Sequence, residues 1–283
     1  LPDTVKSLNE IPFLPIEFFK NQQVLACLPG EVEKVFTSSG TGGSISTHAL
    51  KSLPWYINSF TKSFELFYGK PENYCILALL PGYLEREGSS LVYMCNQLIQ
   101  QSKHPNSGFY LNNVDELKTV CEQLKERKTH VLLVGVSYAL LDFAESGVRL
   151  NDNFIVMETG GMKGTRPELL KEELHKRLED GFQIKGIQSE YGMTEMLSQA
   201  YARENGEFES PPWLKFLIRD TNDPMAYASI NKTGGVNVID LANLYSCSFI
   251  ATQDLGKITI DGKLILMGRF DQSDVRGCNL MLQ

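Results

Sequence analysis

Short apolar runs alternate with segments of helical period over the first three-quarters of the chain. "YCILALLP" (74–81) reads as a strand and leads to "GSSLVYMCNQLIQQ", where Ser89 or Ser90 can cap a helix with Leu91, Met94, Cys95, Leu98 and Ile99 on one face. "GFYL" follows, and then a helix starting near Asn113 with Val114, Leu117, Val120, Cys121 and Leu124 along one side. "HVLLVGVS" (130–137) is wholly apolar, as strands buried on both faces of a parallel sheet are. "NFIVMETGG" (153–161) is another, and "TRPEL" after it predicts a capping box, Thr165 to Glu168, opening a helix through Leu178. "IKGIQSEYG" (184–192) returns as strand and loop. This alternation predicts an α/β sheet covered by helices on both faces.

From about residue 214 the texture changes. "FLIRD", "GGVNVIDL", "CSFIATQDLGKITI" and "GKLILMGRF" are short strands between Gly, Asp and Asn turns, without a convincing helix. Three regions are expected in one compact unit: an aromatic N-terminal arm (1–28), an α/β body (29–213) and a β-rich subdomain (214–283). The helical segment "LPWYINSFTKSFELFYG" places Ile57, Phe60, Phe64 and Phe67 at helical spacing. Core is the simpler reading of that stripe and the lining of an apolar pocket the alternative.

Composition narrows the function. A net charge of −7 and a pI near 5.3 argue against a general nucleic-acid or membrane-surface binder. No apolar run approaches the ~20 residues of a membrane span, and the start lacks the pattern of a secretory signal, so a cytoplasmic location is expected. Cysteines at 27, 75, 95, 121, 247 and 278 follow no disulfide or CxxC spacing. Histidines at 48, 104, 130 and 175 form no metal-ligand pattern.

Five stretches carry candidate chemistry. In "VFTSSGTGGSIST" (35–47), glycines free backbone N–H groups among the hydroxyls of Thr37, Ser38, Ser39 and Thr41, a concave set of donors suited to a phosphate chain. No Gly-Lys-Ser/Thr follows, so it is not a Walker loop, and the third glycine of a dinucleotide fingerprint is missing. A plain surface loop is the alternative. "SEYGMTEM" (189–196) sets Thr194 and Glu195, a hydroxyl beside a carboxylate able to hold Mg²⁺ against phosphate, after the aromatic Tyr191; otherwise it is an ordinary strand-to-helix turn. In "METGGMKG" (157–164), Gly160–Gly161 exposes backbone that can border a planar base. In "TQDLGKI" (252–258), Asp254 can accept from a ribose diol. "GRFDQSDVRGCNL" (268–280) offers Arg269 and Arg276 as anion partners.

The order of these stretches resembles the adenylate-forming superfamily of acyl-CoA synthetases, from about Thr37 to Cys278. Within it, "IPFLPIEFFK", "TSSGTGG", "PGYLEREGSSLVYM" and "DVRGC" are most similar to LuxE-type acyl-protein synthetases, kin of phenylacetate-CoA ligases. The resemblance implies the superfamily's large domain, layered α/β sheets with a β-rich C-terminal part, without the usual small C-terminal domain. It implies ATP and Mg²⁺ as cofactors and conversion of a carboxylic, by this kinship fatty, acid to an acyl-adenylate. By motif match Ser38, Ser39, Gly40, Thr41 and Gly42 hold phosphates, Thr194 bonds the α-phosphate and Glu195 ligates Mg²⁺. Gly160, Gly161 and Tyr191 enclose adenine, Asp254 takes the ribose and Arg269 contacts ribose or phosphate.

Two departures stand out. Gly42 replaces the loop's usual second threonine, and the lysine after the loop is absent. The chain also stops soon after Asp271, where relatives carry a domain with a catalytic lysine; Arg269, Arg276 or Lys163 would stand in for that cation. LuxE-type proteins resemble it in this ending, and the likeness implies acyl transfer to Cys278, beside Arg276 and Gly277, before an acyl-reductase or acyl-carrier partner. Buried apolar residue is the alternative for Cys278. The other functional alternatives are a CoA ligase and a nucleotide or acyl binder without chemistry. A serine hydrolase built on Ser137 in "VGVSYALL" would need His175, expected on the solvated face of "KEELHKRLED".

Overall fold

The computed structural model describes residues 5–7, 10–38, 45–80, 88–110, 113–160, 169–223 and 226–270. Its strands are β1 (Leu14–Pro15), β2 (Lys34–Thr37), β3 (Thr47–Leu50), β4 (Cys75–Leu79), β5 (Gly108–Phe109), β6 (Val131–Val136) and β7 (Phe154–Thr159). They continue with β8 (Gln188–Tyr191), β9 (Ala200–Ala202), β10 (Glu207–Glu209), β11 (Leu214–Arg219), β12 (Gly234–Asp240), β13 (Phe249–Ile258) and β14 (Leu264–Arg269). The helices are α1 (Phe18–Asn21), α2 (Leu53–Tyr68), α3 (Ser90–Ser102), α4 (Val114–Glu126), α5 (Ser137–Glu145) and α6 (Lys171–Phe182).

Among the described residues twelve strands share one sheet, in the order β11-β12-β13-β14-β10-β9-β8-β7-β6-β4-β5, with β1 beside β13. From β5 to β8 neighbouring strands are parallel; from β8 to β11 they are antiparallel. The change follows from the connections. Each parallel pair needs a helical crossover, whereas the later strands are joined by turns. β4 and β6 are buried along their whole length, as continuous apolar strands in a covered parallel sheet must be.

Local signals place several helices. Ser89, not Ser90, caps α3, accepting from the Val92 N–H at 3.3 Å, and Asn113 caps α4 through the Glu116 N–H at 3.1 Å. Ser52 caps α2, whose Phe60 and Phe64 are fully buried in the larger core while Ile57 and Phe67 pack against it. The helix expected to open near Thr165 begins instead at Lys171. Leu170 is extended, and Glu172 and Glu173 supply the negative charge a helix N-terminus favours; residues 161–168, with the expected capping box, lie outside the described set. A second, smaller core holds Tyr191, Phe208, Leu214, Phe216, Val236 and Val238 between the antiparallel strands.

Candidate functional site

The glycine-rich loop joins two strands of a separate hairpin, β2 and β3, in which Thr37 pairs with Thr47 and Phe36 with His48. Its stem is cross-braced. Ser38 N donates to the Ser46 carbonyl (3.0 Å), Ser46 N donates back to Ser38 Oγ (3.0 Å), and the Ser46 hydroxyl reaches the same oxygen (3.2 Å). The Ser46 hydroxyl lies near the Glu195 carboxyl, so the stem of the loop approaches the Thr-Glu turn. Burial raises the Glu195 pKa, against the Ser46 hydroxyl and the charges of Arg269 and Lys20. A 5% exposed carboxyl that resists ionisation gains most from a nearby cation.

A second chain of contacts runs across the sheet. Tyr191, the last residue of β8, donates its hydroxyl to Asp254 Oδ2 at 2.7 Å, and Arg269 Nε donates to Asp254 Oδ1 at 3.0 Å. Asp254 is buried, whereas the Arg269 side chain is 71% exposed and free to meet a ligand. The Arg269 charge acts on Glu195 as well as on Asp254 and Tyr191, and its hydrogen bond is to Asp254. Tyr191 is itself buried, with its ring edge-on to Phe208 and Phe216, so its contribution runs mainly through Asp254. Gly160 ends β7 at φ +70°, a conformation that favours glycine. A side chain on Gly192 would begin 2.5 Å from Glu190 Oε1, so the main chain there is close-packed.

Some participants were not read from the sequence. His48, on β3, is buried with Nδ1 2.8 Å from the Thr194 carbonyl and Nε2 3.1 Å from Asn243 Oδ1, under the edge-on ring of Phe19. Both contacts are satisfied together only by an imidazolium, yet burial pushes this imidazole down to about 4. The shorter contact therefore assigns the single N–H of the neutral ring to Nδ1. Asn243 Nδ2 donates to the Glu195 carbonyl at 2.8 Å. Asp240, at the end of β12, accepts from Leu197 N (2.8 Å), Ser198 N (3.0 Å), Ser198 Oγ (2.7 Å) and Ala242 N (3.1 Å). In the sequence, "DLAN" after an apolar strand reads as a turn, and nothing local says which segment its side chains reach.

His175 is not on a solvated helix face. It turns inward, Nε2 3.3 Å from Ser189 Oγ and 3.6 Å from Glu158 Oε1. Burial opposes charge on Glu158, but Lys171 at 3.0 Å and bonds from His175 and Ser189 outweigh it and bring its pKa down to about 2. Ser137 is 1% exposed and donates to the Gly160 carbonyl at 2.6 Å, with Glu158 Oε2 at 3.3 Å. Its proton is committed to oxygens, not to an imidazole base, which removes the geometry a serine hydrolase needs.

Ser39, Gly40, Thr41, Gly42, Gly161, Lys163, Arg276 and Cys278 lie outside the described residues. Of the rest, Ser38 is bonded to Ser46, whose hydroxyl lies near the Glu195 carboxyl, and Tyr191, Asp254 and Arg269 are joined through the carboxylate of Asp254. Among the described residues no three His, Cys, Asp or Glu side chains cluster to hold a metal, and no helix is long and apolar enough to cross a membrane.

The sequence matches no family model and no curated protein. Solved structures do match. ATP-bound MatB from Rhodopseudomonas palustris aligns with 84% of this chain and 48% of its own, at 15% identity and a TM-score of 0.63. O-succinylbenzoate coenzyme A synthetase (MenE) from Bacillus subtilis, in complex with ATP and magnesium ion, aligns with 85% of this chain and 50% of its own, at 16% identity and a TM-score of 0.59. The chain thus spans about half the length of these structures, and its fold is that of adenylate-forming enzymes.

Proposed function

We propose that this chain forms the nucleotide-binding part of an ATP-dependent, AMP-forming acid–thiol ligase. The observation that carries the reading is the meeting of three separated segments. The glycine-loop hairpin holds the Thr194 carbonyl through His48, the Ser46 hydroxyl lies near Glu195, and the charge of Arg269, bonded to Asp254, acts on Glu195 as well as on the Asp254–Tyr191 pair. Solved structures of the same fold, MatB and MenE, bind ATP, which favours the same ligand here.

The barrier to acid activation is electrostatic, because a carboxylate oxygen must approach an anionic phosphorus. Donors and cations fixed before the reaction lower that repulsion. The loop residues Ser38, Ser39, Gly40, Thr41 and Gly42 would hold the outer phosphates and the Thr194 hydroxyl the α-phosphate. Arg269 would supply positive charge beside it. Asp254 keeps lone pairs after accepting from Tyr191 and Arg269, so it can also accept from ribose hydroxyls. Gly160, Gly161 and Tyr191 would border adenine.

Glu195 fits as the protein ligand of Mg²⁺. Magnesium commonly takes one or two carboxylates and completes its shell with phosphate oxygens and water, so no cluster of acids is needed. When bound, the ion would neutralise phosphate charge and align the reacting oxygens.

Carboxylate attack on the α-phosphorus releases pyrophosphate and leaves an acyl-adenylate. LuxE-type kinship in sequence favours a fatty acid, transfer to the Cys278 thiol and onward delivery to a reductase or carrier protein. The CoA synthetase named among the matched structures favours CoA as acceptor instead. Carboxylate-dependent exchange of labelled pyrophosphate into ATP tests the activation step. No exchange with any acid despite ATP binding would leave a binder without chemistry. Glu195→Gln is expected to lower exchange on the order of a hundredfold or more, as loss of one charge-stabilising group does. A hydroxylamine-sensitive label on the protein, lost in Cys278→Ser, marks the protein-thiol route. Release of acyl-CoA without such a label marks the other.

A further inference from the structure

Between β8 and β9 the chain runs from Gly192 to Gln199 without ladder pairing, yet it carries the two residues on which the proposed chemistry depends. Buried main chain outside a ladder needs other partners. Here they come from three side chains on two distant segments. His48 takes the Thr194 carbonyl, Asn243 takes the Glu195 carbonyl, and Asp240 takes the N–H groups of Leu197 and Ser198.

The first two differ from Asp240 in where they act. They bond the carbonyls of the two residues assigned to phosphate and metal, and they contact each other, Nε2 to Oδ1 at 3.1 Å. His48 also belongs to β3, the strand that leaves the glycine loop, and Ser46 on the same segment lies near the Glu195 carboxyl. The hairpin therefore grips the turn through the His48 ring and the Thr194 carbonyl. Both His48 and Asn243 are 1% exposed, which places them behind the site with no route to a ligand.

We propose that His48 and Asn243 are positioning residues, His48 locking the Thr194 carbonyl to the glycine-loop hairpin and Asn243 locking the Glu195 carbonyl to the turn after β12, so that the α-phosphate hydroxyl, the metal carboxylate and the hairpin stem keep one fixed spacing. The inference rests on the ATP-dependent reading above and adds to it a pair of residues that never touch the nucleotide. A buried ring and a buried amide, each bonded to the turn, have few alternative rotamers, so each holds its carbonyl stiffly in place. Without them the turn would still be anchored at Leu197 and Ser198 by Asp240, but its leading half would be free to rotate.

The test uses the 283-residue chain and two readouts, equilibrium binding of ATP with and without Mg²⁺ and carboxylate-dependent pyrophosphate exchange. His48→Ala is expected to lower the exchange rate at saturation on the order of a hundredfold, as a misplacement near one ångström does, and to weaken Mg²⁺–ATP more than ATP alone. The KM for the acid should stay unchanged. His48→Asn sets an amide N–H close to the place of Nδ1 and is expected to recover most of the loss. His48→Gln carries its amide one carbon further and should not. Asn243→Asp, which cannot donate to the Glu195 carbonyl, should behave like His48→Ala.

Equal values for the Asn and Gln variants, or wild-type binding and exchange in His48→Ala, would overturn the proposal. Should the Ala variant fail to fold, the Asn–Gln comparison decides by itself. A wild-type chain that neither binds ATP nor exchanges pyrophosphate removes the functional reading, and this proposal with it. A wild type that does both while His48→Ala equals it removes the proposal alone.

Discussion

Glu190 shows how much one side chain can owe to its surroundings. In "SEYGMTEM" it looks like an ordinary acid at a strand end, but it is buried and lines a small apolar cavity with Phe64, Met94, Leu98 and Met157. Burial raises its pKa to about 7, helped by the charge of Glu158 and opposed by the Thr159 hydroxyl and by Lys171. The unfolded chain gives up this proton near 4.5, the folded molecule only near 7. Folding is therefore favoured by this group at low pH, and its contribution declines as pH rises through that window, on the order of 3 kcal/mol in total. Glu190→Gln keeps the shape without the charge. Urea unfolding at pH 5 and pH 8 should show a larger loss of stability for wild type than for the variant; equal losses would refute the assignment. Thr194, Glu195, Asp254 and Arg269 were legible at this scale because each belongs to a motif. His48, Asn243 and Asp240 were not, because their partners lie far away along the chain.

At the scale of elements, the ends of strands do the work. β7 and β8 deliver Gly160 and Tyr191 at their carboxyl ends, the usual place for ligands in a parallel sheet. β13 and β14 bring Asp254 and Arg269 into register opposite each other. The turn between β8 and β9 has no ladder, so its order depends on Asp240 at the tip of β12. Asp240→Ala would strand the N–H groups of Leu197, Ser198 and Ala242, at a cost of about 3 kcal/mol or more by equilibrium unfolding. A loss below ~1 kcal/mol would mean that the turn finds other partners. Element types followed from periodicity, since Leu91, Met94, Cys95 and Leu98 can share a face only in a helix. The start of α6 did not, because Leu169 and Leu170 continue the apolar pattern while the chain is still extended at Leu170.

For the molecule as a whole, a segment early in the chain packs on a late strand. β1 pairs in parallel with β13, Leu14 opposite Ile250, on the stretch of that strand not covered by β14. Ser246 donates to the Val24 carbonyl and Gln253 to Glu17, while Phe19 is buried against His48. Residues 14–24 are thus part of the wall behind the candidate site. Removing them should lower stability by at least ~2 kcal/mol from the loss of Phe19 burial alone and depress ATP binding; unchanged thermal unfolding and binding would show the arm to be an accessory.

The sequence alone determined the alternation of strands and helices, the later run of antiparallel strands and the motif residues of the candidate site. All of these are set by contacts within a few residues, by the period of a helix or strand or by the backbone freedom of glycine. Tertiary structure alone decided that His48 reaches Thr194, that Asn243 reaches Glu195 and that Asp254 bridges Tyr191 and Arg269. Those pairings span up to 146 residues, and no local preference encodes which buried polar groups will find each other once the sheet has closed over them.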